Sequence, residues 1–298
     1  MYKIKINATL FLLSILTVIF LLSVSACSQP EAVAEEEDGP GLVKIVYVDW
    51  VSEIASAHVI QAAIEDRLNY ECELLSVTAI SMWESVAAGD QDAMLGAWLP
   101  SLQQEYLGQV EDQVVNLGPN LVGVEMGLVV PAYVEIDSIT ELNMHAGEFD
   151  NRIIGIDPEA GLMANTLRAL EVYELDEFEL ISGSDLTMTS ALEIAYEEER
   201  WIVVTGWTPH WKFARWDLKY LHDPEKVYGE SEYIGTIVRQ GLQEDMPEVY
   251  AFLDNFYWTA ADMEQVMFWF IEDGMTPAAA AARWVEENSD LVDQWVAE

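Results

Sequence analysis

The chain has 298 residues, 51% of them hydrophobic, which is enough apolar material for a buried core and excludes a wholly disordered chain. Asp and Glu number 53 against 13 Lys and Arg, for a net charge of −40, and so acidic a surface repels phosphate backbones and excludes nucleic acid as a partner. Two cysteines and four histidines leave too little for a disulfide scaffold or a His/Cys metal site.

Lys3 and Lys5 precede an apolar run from Leu10 to Val24, followed by Ser25-Ala26-Cys27. A basic start, an apolar stretch and small residues before a cut read as a secretory signal over residues 1–26. The run is too short and too poorly flanked for a permanent span, and no later segment reaches about 18 uninterrupted apolar residues. The cysteine after the small pair resembles the lipobox of bacterial lipoproteins. That implies acylation of Cys27, which would be the mature N-terminus and the membrane attachment; the alternative is an ordinary signal with a chance cysteine. Removing residues 1–26 leaves 11 basic and 53 acidic side chains, a net charge of about −42. Cys72 then has no intrachain partner and reads as a small buried hydrophobe. Residues 27–41 are acidic, carry Pro and Gly without periodicity, and read as a flexible tether. The acidic excess reads either as a field that attracts cations or as an adaptation to high external salt. Its even spread along the chain favours the second, with a saline or alkaline habitat.

Val43–Val48 is a β-branched run and predicts a strand. Glu53–Leu68 has helical apolar spacing, Cys72–Val77 predicts a second strand, Trp83–Ala88 a short helix and Ala93–Ala97 a third strand. Further strands are predicted at Met126–Val130, Arg152–Ile156 and Trp201–Thr205, with helices at Leu162–Tyr173 and Leu186–Glu199. This alternation predicts an α/β fold with mostly parallel sheets. After Arg215 the pattern becomes mostly helical: Met246–Phe256, then Thr259–Glu272 behind a Thr cap and stopped by Gly274, then an Ala-rich helix opened by Thr276-Pro277. There is no internal repeat. Alternation running past 200 residues, with a composition break near Pro131, fits two α/β lobes joined by crossing segments better than one sheet.

No enzyme motif assembles. G-x-S-x-G, the P-loop, G-x-G-x-x-G and H-E-x-x-H are all absent, and Ser182-Gly183-Ser184-Asp185 lacks the flanking glycines of a nucleophile elbow. With 53 carboxylates, any chosen pair reads as solvated surface. Glycosidases carry no strict local motif, so an extracellular hydrolase stays as a second class of function. No catalytic residue, cofactor or metal is assigned.

Three segments place tryptophan where strands should end: Val48-Asp49-Trp50, Gly96-Ala97-Trp98-Leu99-Pro100 and Thr205-Gly206-Trp207-Thr208-Pro209-His210-Trp211. In open α/β sheets ligands bind beyond the carboxyl ends of strands, so these rings are well placed to line a cleft. Three indole faces can enclose a quaternary ammonium, which has no N–H to donate and is held by the ring quadrupoles; core packing is the competing reading. Trp216, Trp258, Trp269, Trp284 and Trp295 lie in helical patterns and read as packing. At Ile154–Met163 a strand ends and a helix begins near Gly161, which makes either an anion site of free N–H groups or a plain helix start.

These segments, together with Ala55–Val59, Val115–Asn120 and Asp217–Leu221, resemble the substrate-binding lipoproteins of ABC importers for glycine betaine and related osmoprotectants. The resemblance runs from about Leu42 to Val296. It implies a bilobed, type II periplasmic-binding-protein-like fold with a hinge and a ligand cleft between the lobes. Lobe 1 would be residues 42–130 and 220–298, and lobe 2 residues 131–219. It implies an aromatic cage at Trp50, Trp98 and Trp207, and backbone amides at Gly161 and Leu162 that hold a carboxylate. Gln103 stands where family members commonly place a carboxylate-binding histidine; it can donate a neutral hydrogen bond but cannot become cationic. His210 belongs to the motif without an assigned ligand contact, and orienting its loop is the role left to it. The implied partners are glycine betaine or a similar zwitterion, an ABC permease with its ATPase, and the membrane through a lipid anchor, on the extracytoplasmic side. Choline, carnitine, proline betaine and ectoine are the alternative ligands.

Overall fold

The computed structural model describes residues 41–229 and 232–296. The signal, Cys27 and all of the tether before Gly41 lie outside the described residues. The folded chain opens with β1 (Leu42–Tyr47), α1 (Val51–Arg67), β2 (Glu71–Ser76), α2 (Ala79–Ala88), β3 (Ala93–Leu99) and α3 (Gln104–Val110). It continues through the long β4 (Val114–Pro131), β5 (Arg152–Ile154), α4 (Gly161–Val172), β6 (Glu179–Ile181), α5 (Asp185–Glu197) and β7 (Val203–Thr208). Then come α6 (Lys212–Arg215), β8 (Leu218–Tyr220), β9 (Glu232–Arg239) and five helices: α7 (Leu242–Asp245), α8 (Pro247–Asn255), α9 (Ala260–Ile271), α10 (Pro277–Glu287) and α11 (Ser289–Val292).

Helix starts follow local chemistry. Thr78, Thr259 and Thr276 each accept a backbone N–H at the head of α2, α9 and α10, and Pro277 fills the first position of α10. Ser184 and Thr187 close a reciprocal cap on α5. The head of α4 has no such side-chain cap.

Among the described residues the strands run in the order β2-β1-β3-β9-β4-β7-β5-β6, with β8 also on β4. Four of the eight ladders are parallel and four antiparallel, which corrects the expectation of mostly parallel sheets. The antiparallel ladders all involve β4 or β9. Residues Val114–Val124 of β4 pair with β9, and Glu125–Pro131 pair with β7 and β8. One strand thus serves both halves of the sheet, so the pairing path is continuous. Its first part carries three register shifts and two glycines at positive φ, Gly118 at 96° and Gly123 at 78°, bends that an ordinary residue would resist. After Arg215 the described residues are mostly helical, as expected, with β8 and β9 as the two strands the sequence did not predict there.

The core runs through both halves. Helix α1 packs against α9 and α10. Beside them Trp284 stacks on Trp295 at 5.9 Å between centroids, and Trp258 meets Trp284 edge-on at 5.7 Å. Trp216, Trp258, Trp269, Trp284 and Trp295 are all buried as expected, although Trp216, Trp258 and Trp295 sit just outside helices. Cys72 is buried and unpaired, and burial, with Glu65 and Asp92 nearby, pushes its thiol up to about 12. No helix of the described residues is long and apolar enough to cross a membrane.

Candidate binding recess

Trp50 follows β1 and immediately precedes α1, where its extended backbone (φ −92°, ψ 140°) turns the chain. Trp98 is the penultimate residue of β3, and Trp207 the penultimate residue of β7, so the third ring lies inside its strand rather than after it. In both strands the next residue but one is a proline joined by a cis peptide bond, at Leu99–Pro100 and Thr208–Pro209. The three rings line one recess. Gly161 and Leu162 at the head of α4 line the same recess, with Ser52, Leu102, Met126, Ile156 and Ala160 filling the wall between them.

Two of the indoles are fixed by their edges, which leaves their faces for contact. Trp50 Nε1 donates to Asp157 Oδ2 at 3.0 Å, and Trp207 Nε1 donates to Ser52 Oγ at 3.2 Å. Each bond joins one half of the sheet to the other, because Trp50 and Ser52 belong with β1 and α1 while Asp157 and Trp207 belong with β5 and β7. Val51 N–H donates to Asp185 Oδ2 at 3.2 Å, and the Tyr106 hydroxyl donates to the Glu159 carbonyl at 2.6 Å, across the same divide.

The start of α4 offers donors. Ala160 provides no side-chain cap, and the N–H groups of Gly161 and Leu162 have no partner among the described residues. Gly161 packs so closely on the Leu102 carbonyl that a Cβ there would overlap it. Two free amides and the positive helix end therefore face an otherwise apolar wall, an arrangement suited to a carboxylate.

Gln103 stands apart from the other sequence candidates. It is fully buried and does not line the recess. Its Oε1 accepts from Trp83 Nε1 at 3.2 Å and from the Trp98 N–H at 3.3 Å, while its Nε2 has no partner among the described residues.

His210 also lies outside the recess wall. The Lys212 N–H donates to His210 Nδ1 at 3.1 Å, so the ring's other nitrogen carries the proton and donates to Asp185 Oδ1 at 3.1 Å. Burial and the neighbouring Lys212 push His210 down to about 4, against the opposing pull of Asp185, so the imidazole is neutral. Burial favours the protonated Asp185, but His210, Lys212 and the Val51 N–H outweigh it and hold this carboxyl below its ordinary value. The loop after Trp207 is thereby tied through His210 and Asp185 to the first residue of α1.

Sequence reasoning missed Ser52, Asp157 and Asp185. Asp157 lay within the quoted Ile154–Met163 run, and Asp185 directly follows a serine cap. Among 53 carboxylates neither stood out.

Comparison with known proteins now bears on this geometry. A family model described as the substrate-binding domain of ABC-type glycine betaine transport systems matches residues 41–287. The chain belongs to this family. A glycine betaine/carnitine transport binding protein of Listeria monocytogenes is 50% identical over 145 residues, 48% of each chain, so the match spans about half the length of that relative. Lactococcal OpuAC, solved in a closed form with glycine betaine, is 40% identical and superposes with a TM-score of 0.83 over 86% of this chain and all of its own. The glycine betaine/L-proline-binding protein of Borrelia burgdorferi is 36% identical, with a TM-score of 0.83 over 86% of this chain and 97% of its own. The fold is that of these type II periplasmic binding proteins. Family members are transport binding proteins, which removes the hydrolase reading.

Proposed function

We propose that this protein captures glycine betaine or a close quaternary-ammonium relative in the tryptophan-lined recess and hands it to the permease of an ABC importer. The observation that carries this reading is the convergence of three indole rings and two free helix-start amides on one recess. A trimethylammonium group has a diffuse charge and an apolar surface. It gains from ring faces, each worth about 0.5–2 kcal/mol when desolvated, and needs no hydrogen-bond acceptor. The Gly161 and Leu162 amides take the carboxylate, and the spare Nε2 of Gln103 is the third donor proposed for it. Residues 42–130 with 220–298, and residues 131–219, are the proposed lobes. The hydrogen bonds from Trp50, Val51, Tyr106 and Trp207 join them, and a ligand touching both sides favours the closed form by differential contact.

Calorimetric titration with glycine betaine, choline, carnitine, proline betaine and ectoine tests the reading. Betaine should bind and be recovered unchanged, and it should bind more tightly than choline, which lacks the carboxylate. Tighter choline binding removes the amide site; no binding of any of the five removes the function.

The proposed anchor is a lipid on Cys27, which holds the protein on the extracytoplasmic face of the membrane. Cys27→Ala should release it or leave it unprocessed, and equal membrane association of both forms ends that claim. The acidic surface is proposed as an adaptation to salt, so the melting temperature should rise between low and molar NaCl. A flat or falling curve rejects it.

A further inference from the structure

Behind the recess lies a buried cation with no role in the reading above. Lys212 is fully buried, and its Nζ sits 4.5 Å from the centroid of the Trp207 ring, 3.5 Å from the Trp207 carbonyl oxygen and 5.1 Å from the Phe213 ring. Trp207 lines the recess and Lys212 does not, so the ammonium occupies the side of the indole away from the cavity. Resting on the betaine reading, we propose that Lys212 tunes the cage from behind: its ammonium and the ligand's trimethylammonium compete for one indole, so ligand capture and Lys212 protonation oppose each other.

The physical basis is like-charge repulsion across a ring in a medium poorer than water at screening charge. The groups around Lys212 leave this repulsion only partly compensated. Among the described residues, Asp185, from α5, is the anion whose charge acts on it, without forming an ion pair with it. That carboxylate is already shared with the His210 ring and the Val51 N–H. His210 is neutral, and its Nδ1 is occupied by the Lys212 N–H. On α1, burial raises Glu53 to about 8, against the Val48 N–H that favours its charged form. On β4 burial raises the Glu125 carboxyl above its ordinary value, and on β8 the Tyr220 hydroxyl, bonded to Thr208, is also raised by burial and stays neutral at neutral pH. Burial brings Lys212 itself down to about 7, with Asp185 pulling the other way, so its proton is exchangeable near neutrality.

Linkage makes the effect reciprocal. If a bound quaternary cation weakens proton binding at Lys212, loss of that proton strengthens ligand binding by the same factor. Capture then shifts the balance from ammonium to amine and releases a fraction of a proton to the solvent, with no other bond changed.

The experiment is calorimetric titration of the whole protein with glycine betaine at pH 6, 7 and 8, in two buffers of different ionisation enthalpy. The expected result is proton release near pH 7 and affinity at least about fivefold tighter at pH 8 than at pH 6, the low end of typical coupling between sites. Lys212→Met should abolish the release and hold affinity at the high-pH level throughout. Lys212→Arg, charged at every pH, should abolish the release and hold affinity at the low-pH level. Glu53→Gln should keep the release, which separates Lys212 from Glu53, whose raised carboxyl also titrates in this range. Betaine binding that is independent of pH and exchanges no protons overturns the proposal while leaving the betaine reading intact, as does release that survives in Lys212→Met. Absence of betaine binding at all three pH values overturns the betaine reading and the proposal with it. The wild-type measurement needs no variant to fold.

Discussion

Two groups of tryptophans are almost equally hidden from solvent. Trp50, Trp98 and Trp207 are 6%, 2% and 4% exposed; Trp258, Trp284 and Trp295 are 3%, 1% and 0% exposed. Burial alone therefore cannot separate a binding ring from a packing ring. Their neighbours can. In the C-terminal group the faces and edges are taken by other rings: Trp284 on Trp295, Trp258 on Trp284, and Phe256 edge-on to Trp295 at 4.9 Å. The first group has no ring contact among its own members, and its rings surround a cavity instead. The polar edges are reversed as well. Trp50 and Trp207 have partners for their indole N–H, while those of Trp258 and Trp295 are buried without one. Two of the three recess rings have their edges fixed and all three border a cavity; the packing rings border other rings.

The largest effect expected from this contrast is on stability. Trp284→Ala opens a hole in a ring cluster and should cost about 3–5 kcal/mol, with affinity per folded molecule unchanged. Ala substitutions at Trp50, Trp98 or Trp207 should do the reverse, losing about 1–3 kcal/mol of betaine affinity, or roughly tenfold to a hundredfold, with a smaller change in melting temperature. Trp→Phe at these three should cost less, because a smaller π face remains. Chemical denaturation paired with calorimetry on each variant makes the comparison. If the recess variants bind like wild type, free faces mean nothing here and the cage is wrong.

Much of this contrast was legible from sequence, and the reasons are local. The three recess tryptophans stand at the ends of apolar runs, β-branched before Trp50 and Trp207, and Gly161-Leu162 opens a helix without a Ser, Thr or Asp cap. The structure brings all five to one wall. The partners that fix the rings were hidden by abundance, since Asp157 and Asp185 are two acids among 53. The strands show the same limit. β9 was missed although Ile234, Thr236, Ile237 and Val238 are β-branched, because Gly235 breaks the run inside a segment with helices downstream. The first part of β4 carries Asn116, Gly118, Pro119, Asn120 and Gly123, which read as loop formers. There they serve the bulges by which one strand joins two halves of a sheet.

A buried acid between the two regions gives the next largest effect. Glu53 on α1 accepts the Val48 N–H at 2.8 Å and presses on Gly96, two residues before Trp98; its other oxygen has no partner. Burial raises its carboxyl to about 8, well above the ordinary value near 4.5. Between those values the folded protein holds a proton that the unfolded chain has lost. The contribution of Glu53 is therefore fully present below about pH 4.5 and is lost as pH rises to about 8, with a slope of at most about 1.4 kcal/mol per pH unit. His210, lowered to about 4, has the opposite slope from there to its ordinary value near 6.5, and Lys212, lowered to about 7, has it from there towards 10.5. The measurement is consequently a difference: the stability of wild type minus that of Glu53→Gln should fall steadily from pH 5 to pH 8. A constant difference means that Glu53 is ionised in the fold.

The smallest effect concerns a residue that links a recess tryptophan to another buried tryptophan of the core. The Gln103 carbonyl oxygen holds Trp83 in the core and the Trp98 backbone beside the recess, while its amide nitrogen has no partner among the described residues. Removing the side chain has two separable consequences. Trp83 and Trp98 each lose an acceptor, which lowers stability and displaces a cage ring, and that loss falls on every ligand that uses the cage. The spare donor is lost too, and that matters only to a ligand with a carboxylate. If the donor reaches the ligand, Gln103→Ala should weaken betaine by about 1 kcal/mol more than it weakens choline, the net worth of an ordinary hydrogen bond. Gln103→His, which keeps one acceptor and one donor, should restore betaine to wild-type affinity or better. Equal losses for betaine and choline would make Gln103 a strut for Trp98 alone, and would leave the carboxylate to the Gly161 and Leu162 amides.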